Sequence, residues 1–111
     1  MDMTSAHITP ARLLPIQRRQ ELNAIALERM RLAISEADAL MAEDHVVIGI
    51  ETLLGMPTVQ LAASPRLAAM ADEQRGAYYM RGVDAAGQHY RKGLLLNRMP
   101  GVRVIWIERG H

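Results

Sequence analysis

The 111-residue chain is half hydrophobic and 23% charged, with a net charge of +1. That balance fits one folded domain and excludes both a disordered chain and one drawn to nucleic acid by its overall field. It has no cysteine, which excludes disulfides, zinc–thiolate sites and thiol nucleophiles.

The charge is unevenly laid out. Residues 1–44 carry five Arg against seven Asp/Glu, and residues 45–75 carry two Arg against three acids. Residues 76–111 carry five Arg and one Lys against Asp84 and Glu108, a net of +4, and hold all four aromatic residues. The opening Met1-Asp2-Met3-Thr4-Ser5 lacks the basic and apolar regions of a signal peptide. The longest apolar runs, such as Val46 to Ile50, fall far short of a bilayer span. A cytoplasmic protein with no membrane partner is expected. Residues 1–111 read as a single α+β domain, with residues 1–9 as a flexible tail.

Thr9-Pro10 and Pro15 mark the entry to a helix, because proline tolerates the first helical position. From Ile16 to Glu43 there is neither Gly nor Pro, and Ala, Leu, Arg, Glu and Met dominate. Apolar residues recur at Leu27, Met30, Ile34, Ala37 and Met41, a spacing of three and four that makes one stripe. Leu22, Ile25, Ala26, Ala33 and Leu40 widen it on its flank. Such a helix is roughly 42 Å long, against a diameter of about 34 Å for a compact domain of this size. It overhangs its own domain and calls for a partner.

Arg12, Arg18 and Arg19 stand near its start, and Glu36, Asp38, Glu43 and Asp44 near its end. That order opposes the helix dipole, whereas an antiparallel copy sets basic end beside acidic end. The stripe from Leu27 to Met41 is therefore the expected self-association surface of a homodimer.

His45 to Leu54 is rich in β-branched residues and ends at the turn signal Gly55-Met56-Pro57, and Thr58 to Ala62 follows as a second short strand. Ser64-Pro65 reads as an N-cap with proline at the first helical position, opening a short helix to Arg75 that Gly76 ends. Three strands are expected after it, over Ala77–Val83, Gln88–Asn97 and Val102–Glu108. They turn at Asp84-Ala85-Ala86-Gly87 and at Met99-Pro100-Gly101. The expected architecture is a long helix and a short one packed on an antiparallel sheet of four to five strands.

The last hairpin can be registered on paper. Asn97 opposite Val102 sets Gly93 against Trp106 and Arg91 against Glu108, an aromatic over a strand glycine and an opposite-charge pair. One face then carries Leu95, Val102, Val104 and Trp106, and the other Leu94, Leu96, Ile105 and Ile107. Two apolar faces call for cover on both sides, from the helices or from a second subunit.

No residue set advertises catalysis. His7, His45, His89 and His111 lack metal-ligand spacing. Asp38, Glu43, Asp44, Asp72 and Glu73 read as solvated helix surface rather than acid–base pairs. Gly49 and Gly55 form no phosphate loop, and Ser5, Ser35 and Ser64 lack a nucleophile elbow. Neither an enzyme, a cofactor nor a metal is expected.

Tyr79, Arg81, Tyr90, Lys92 and Arg103 share one sheet face by simple alternation, a basic-aromatic set of the kind that holds single-stranded nucleic acid. Leu94, Ile105 and Ile107 share that face. Tyr and Arg also favour protein interfaces. An interaction module with an unspecified protein partner is therefore the leading expectation and nucleic-acid binding the alternative.

Three stretches carry a resemblance: Pro57-Thr58-Val59-Gln60-Leu61, Gly76-Ala77-Tyr78-Tyr79-Met80-Arg81-Gly82, and Gly101-Val102-Arg103-Val104-Ile105-Trp106-Ile107-Glu108. The C-terminal half resembles small uncharacterised accessory proteins encoded in phages and prophages of proteobacteria. The resemblance implies an accessory role, with no defined activity and no functional residue to carry over, and the long helix lies outside it.

Overall fold

The structure, a computed structural model, describes residues 15–53 and 55–110. The expected tail, residues 1–9, lies outside them, as do Arg12, His7 and His111. The elements in chain order are α1 (Ile16–Ala42), β1 (Val47–Glu51), β2 (Thr58–Leu61), α2 (Pro65–Asp72), β3 (Gly76–Val83), β4 (His89–Leu95) and β5 (Arg103–Arg109). The α+β architecture is as expected, with five strands in one sheet ordered β1-β2-β5-β4-β3.

The sheet is mixed rather than wholly antiparallel, because β2 and β5 pair in parallel. The cause is the connection through α2. It carries the chain from β2 to the far edge, where β3 and β4 form a hairpin, and β5 then returns between β4 and β2. A choice of partner made over that distance leaves no local trace in the sequence.

Local signals hold where they are chemically specific. Pro15 stands at the N-cap of α1. The Ser64 hydroxyl caps α2 by accepting from the Leu67 N–H at 3.2 Å, with Pro65 following. Asp84 closes the β3–β4 turn, its carboxylate accepting from Ala86 and Gln88 N–H groups at 2.9 Å each, while Gly87 takes φ +78°. The β4–β5 register has Gly93 opposite Trp106 and Arg91 opposite Glu108, as read from the sequence.

The end of α2 differs from expectation. Gln74, at φ +63°, makes the left-handed step, and Gly76 is already the first residue of β3. Glycine is needed there for room, since a Cβ would stand 3.1 Å from the Trp106 ring and 3.2 Å from the Leu94 carbonyl oxygen.

One core lies between the helices and one sheet face. Val59, Leu61, Leu95, Val104 and Trp106 project from the strands, with Val102 beside them. Ala33, Ala37 and Leu40 come from α1, and Leu67 and Met70 from α2. Trp106 is fully buried at the centre. Gly93 makes a floor for its indole, because a Cβ there would overlap the ring. Helix α1 covers β1 and β2, and α2 covers β3 and β4. Burying the Trp106 side chain is worth about 3 kcal/mol or more by the cost of truncating such residues.

The opposite sheet face was expected to be covered too. No helix among the described residues crosses it, and Leu94, Ile105 and Ile107 remain half-buried there.

Candidate functional site

The face that α1 gives to its own sheet is not the stripe with the larger side chains. At ~100° per residue, Ala33, Glu36, Ala37 and Leu40 occupy one sector of the helix, and these four are buried. Leu27, Met30, Ile34 and Met41 fall in a sector centred roughly 100° away. They are 52%, 45%, 62% and 54% exposed. Of the five expected self-association residues, only Ala37, on the border between the sectors, is buried at home. The small side chains Ala33 and Ala37 let the helix lie close on the sheet, and that close approach turns the bulkier stripe outward. The first half of α1 runs beyond the sheet, and Ile16, Leu22 and Ile25 are exposed along it.

A partly buried ion cluster holds this orientation. Arg98, in the connection between β4 and β5, donates to Glu36 from Nε at 3.1 Å and from Nη2 at 2.8 Å. It also donates to Glu43 from Nη1 at 2.9 Å and Nη2 at 2.8 Å. Glu36 is 2% exposed. The hydrogen bonds to Glu36 and then to Glu43 push the Arg98 pKa upward, and the Arg98 hydrogen bond in turn holds Glu43 below the ordinary carboxylate range. A second clamp joins the helices, where Arg66 of α2 donates to the Glu43 carbonyl at the end of α1. Sequence reading gave Glu36 to an antiparallel copy and missed its partner Arg98 within the chain. The signal available was Glu36 on the same flank as Ala33 and Leu40, a place where a carboxylate must find a cation.

The cluster also narrows the electrostatic case for an antiparallel pair. Two of the four acids near the end of α1, Glu36 and Glu43, are satisfied within the chain. Arg18 pairs with Glu21 at 3.2 Å on the exposed surface. The apolar stripe carries more of the case than the charges do.

The basic-aromatic set is split by a β-bulge. The β3–β4 register slips between Tyr78 and Met80, leaving Tyr79 out of alternation. Every residue after it changes face. Arg81 therefore lies opposite Arg91 on the helix side of the sheet, while Tyr90, Lys92 and Arg103 keep the uncovered face. Lys92 Nζ stands 5.9 Å from the centre of the Tyr90 ring, and Tyr90 lies over Gly82, where a Cβ would meet its ring. A shallow groove of about 350 Å³ runs along this face between Gly49, Glu51, Thr58, Gln60, Arg103 and Ile105.

A second polar cluster sits at the other end of the core. Glu108 accepts from Trp106 Nε1 and from the Tyr78 hydroxyl at 2.7 Å each, and from Arg91 Nε at 2.9 Å. The Arg91 guanidinium stacks 3.9 Å over the Tyr78 ring. Burial works to raise the Glu108 pKa, but the three donors outweigh it and hold the carboxylate below its usual range. Such an arrangement locks a sheet end and is stacked and saturated rather than open to substrate.

His45 is buried, its Nε2 has no hydrogen-bond partner among the described residues, and burial followed by the Arg66 charge pushes its pKa down. His89 is exposed on the β3–β4 hairpin. Among the described residues no three His, Asp or Glu side chains are grouped to hold a metal ion. None of the helices described is long and apolar enough to cross a membrane. No family model, curated protein or solved structure matches this chain.

Proposed function

We propose that this chain is a non-enzymatic assembly module that works as a homodimer formed through α1. The observation that carries the reading is the outward stripe of Leu27, Met30, Ile34 and Met41, each about half exposed or more on a helix already anchored by its other flank. Contiguous apolar surface of this kind marks an interaction site more often than solvent-facing surface. Its spacing of three and four suits a helix partner. An accessory role in a phage or prophage-bearing cell, as the C-terminal resemblance implies, accommodates such a module in the cytoplasm.

Light scattering tests it. At micromolar concentration the expected mass is twice the 12.4 kDa of the chain. The double variant Leu27→Glu, Ile34→Glu gives the single-chain mass with unchanged far-ultraviolet circular dichroism. A wild-type chain that stays monomeric at tens of micromolar overturns the reading.

One observation favours a second reading. Tyr90, Lys92 and Arg103 share the uncovered sheet face, an arrangement able to stack and neutralise a single strand of nucleic acid. A gel shift that weakens steeply with salt supports it, and no shift at low salt removes it.

A further inference from the structure

The α1 stripe has a neighbour that the proposed dimer does not yet use. Leu32, Glu36 and Glu43 face inward along the sheet, toward the β4–β5 connection. Arg98 holds both acids there, and Leu32 Cδ1 lies 3.8 Å from where a Cβ would stand on Gly101. On the helix wheel the exposed stripe is roughly opposite these three residues. Because α1 lies over β1 and β2 and the sheet continues from β2 to β5, that opposite flank looks out over β1.

Strand β1 is the sheet edge on that side, and no sixth strand pairs with it among the described residues. Val46, Ile48 and Ile50 are 63%, 59% and 43% exposed. Edge strands are ordinarily blunted by charge or proline. Val46 to Ile50 carries neither; the strand's one charge is Glu51 at its end and a bulge lies between Val47 and Gly49, while the far edge, β3, carries Arg81 and a bulge of its own. Ile50, opposite the buried Val59, lies on the helix side with the α1 stripe, whereas Val46, next to Val47 opposite Leu61, lies on the uncovered side of the same edge.

We infer that β1 pairs antiparallel with β1 of a second copy, joining two sheets into one of ten strands, with the α1 stripes packed together above the seam. The inference rests on the self-association proposed above and specifies its geometry. The spacing supports a second copy of this chain as the occupant. A helix straddling β1 and β2 has its axis half a strand spacing inside β1. A two-fold axis that places the two β1 strands at the usual ~4.8 Å then sets the helix axes about 10 Å apart, the packing distance of helices with side chains of this size. The area fits as well. The seven side chains Leu27, Met30, Ile34, Met41, Val46, Ile48 and Ile50 together expose on the order of 700 Å², close to the ~800 Å² per partner of a stable interface. The two-fold makes the surface self-complementary, so no other partner is required to satisfy it.

The natural absence of cysteine makes the test clean. Single-cysteine variants Val46→Cys, Ile48→Cys, Gly49→Cys and Ile50→Cys are oxidised mildly in the full chain, with Met80→Cys on β3 as the control. A Cβ at Gly49 meets nothing within 4 Å, so that variant is tolerated by the fold. Like residues two positions from the two-fold are already about 13 Å apart along the strands, beyond disulfide reach, so one position near the axis links far better than the rest. Proximity makes that reaction on the order of 100-fold faster than the control. No linkage at any of the four, or linkage no faster than at Met80→Cys, overturns the inference. The mass of the unmodified chain then separates the cases. A dimer whose β1 cysteines stay silent leaves the α1 reading standing, and a monomer removes both.

Discussion

Replacing Arg98 by methionine removes the charge that holds α1 while keeping an apolar stem of similar reach. The consequence follows from the burial of its two partners. The Glu36 side chain is 3% exposed and loses both strong donors, keeping only the Met99 N–H at 3.4 Å. Stranding a carboxylate in that position costs about 3–5 kcal/mol. The Glu43 side chain is 37% exposed, and its share is screened to about 0.5 kcal/mol. A loss of about 3 kcal/mol, at a urea slope of about 1.5 kcal/mol per molar, lowers the unfolding midpoint by about 2 M. The companion variant Arg98→Met, Glu36→Leu exchanges the pair for apolar packing and recovers most of that loss, because a buried ion pair is worth little more than its hydrophobic replacement. Unfolding in urea, followed at several protein concentrations to separate dissociation from unfolding, measures both. A midpoint for Arg98→Met within about 0.3 M of the wild type refutes the claim that the cluster anchors α1. A double variant no more stable than the single one refutes the claim that the stranded Glu36 charge is the cause.

Gly93→Ala forces a methyl into the Trp106 ring. It costs about 1–3 kcal/mol and weakens the near-ultraviolet circular dichroism of the tryptophan. Gly49→Ala, with open space around it, changes stability by less than about 0.5 kcal/mol. The Glu108 pKa, which burial tends to raise, is held by its three donors below the ordinary 4.5. Its stabilisation is thus complete above 4.5 and lost as pH falls through the depressed value. Trp106 fluorescence shifts in that acid range, and Glu108→Gln removes the dependence. Burial, and then donation to Glu108, push the Tyr78 hydroxyl up to about 12. Its neutral form stabilises the fold below pH 10, and that contribution disappears as pH rises through 12. An absorbance titration shows a late phenol step that Tyr78→Phe abolishes.

The sequence was most legible where a residue type has one structural use. Ser64-Pro65 opened α2, Asp84 and Gly87 closed a hairpin, and glycine against tryptophan set the β4–β5 register. Four features were not legible, and each has a physical reason. The bulge at Tyr79 is a choice between pairings of similar local quality, yet it moved Arg81 to the other face. The helix side chosen for burial was the alanine flank, since close approach to the sheet rewarded small residues where periodicity alone favoured Leu27, Met30, Ile34 and Met41. The parallel seam between β2 and β5 joins residues some forty-five positions apart. The partner of Glu36 lies sixty-two positions away in a loop, where no helical pattern points.

The seam between β2 and β5 bears on how the protein is made. Of the five strands, the middle one leaves the ribosome after the other four, and until it arrives β1–β2 and β3–β4 are separate hairpins joined only by α2. Each then presents a raw flank to the crowded cell, and two-stranded ribbons have little stability of their own. A nascent chain halted before Arg103 lacks the keystone and its tryptophan, and becomes a substrate for chaperones or for proteolysis rather than a smaller version of the fold.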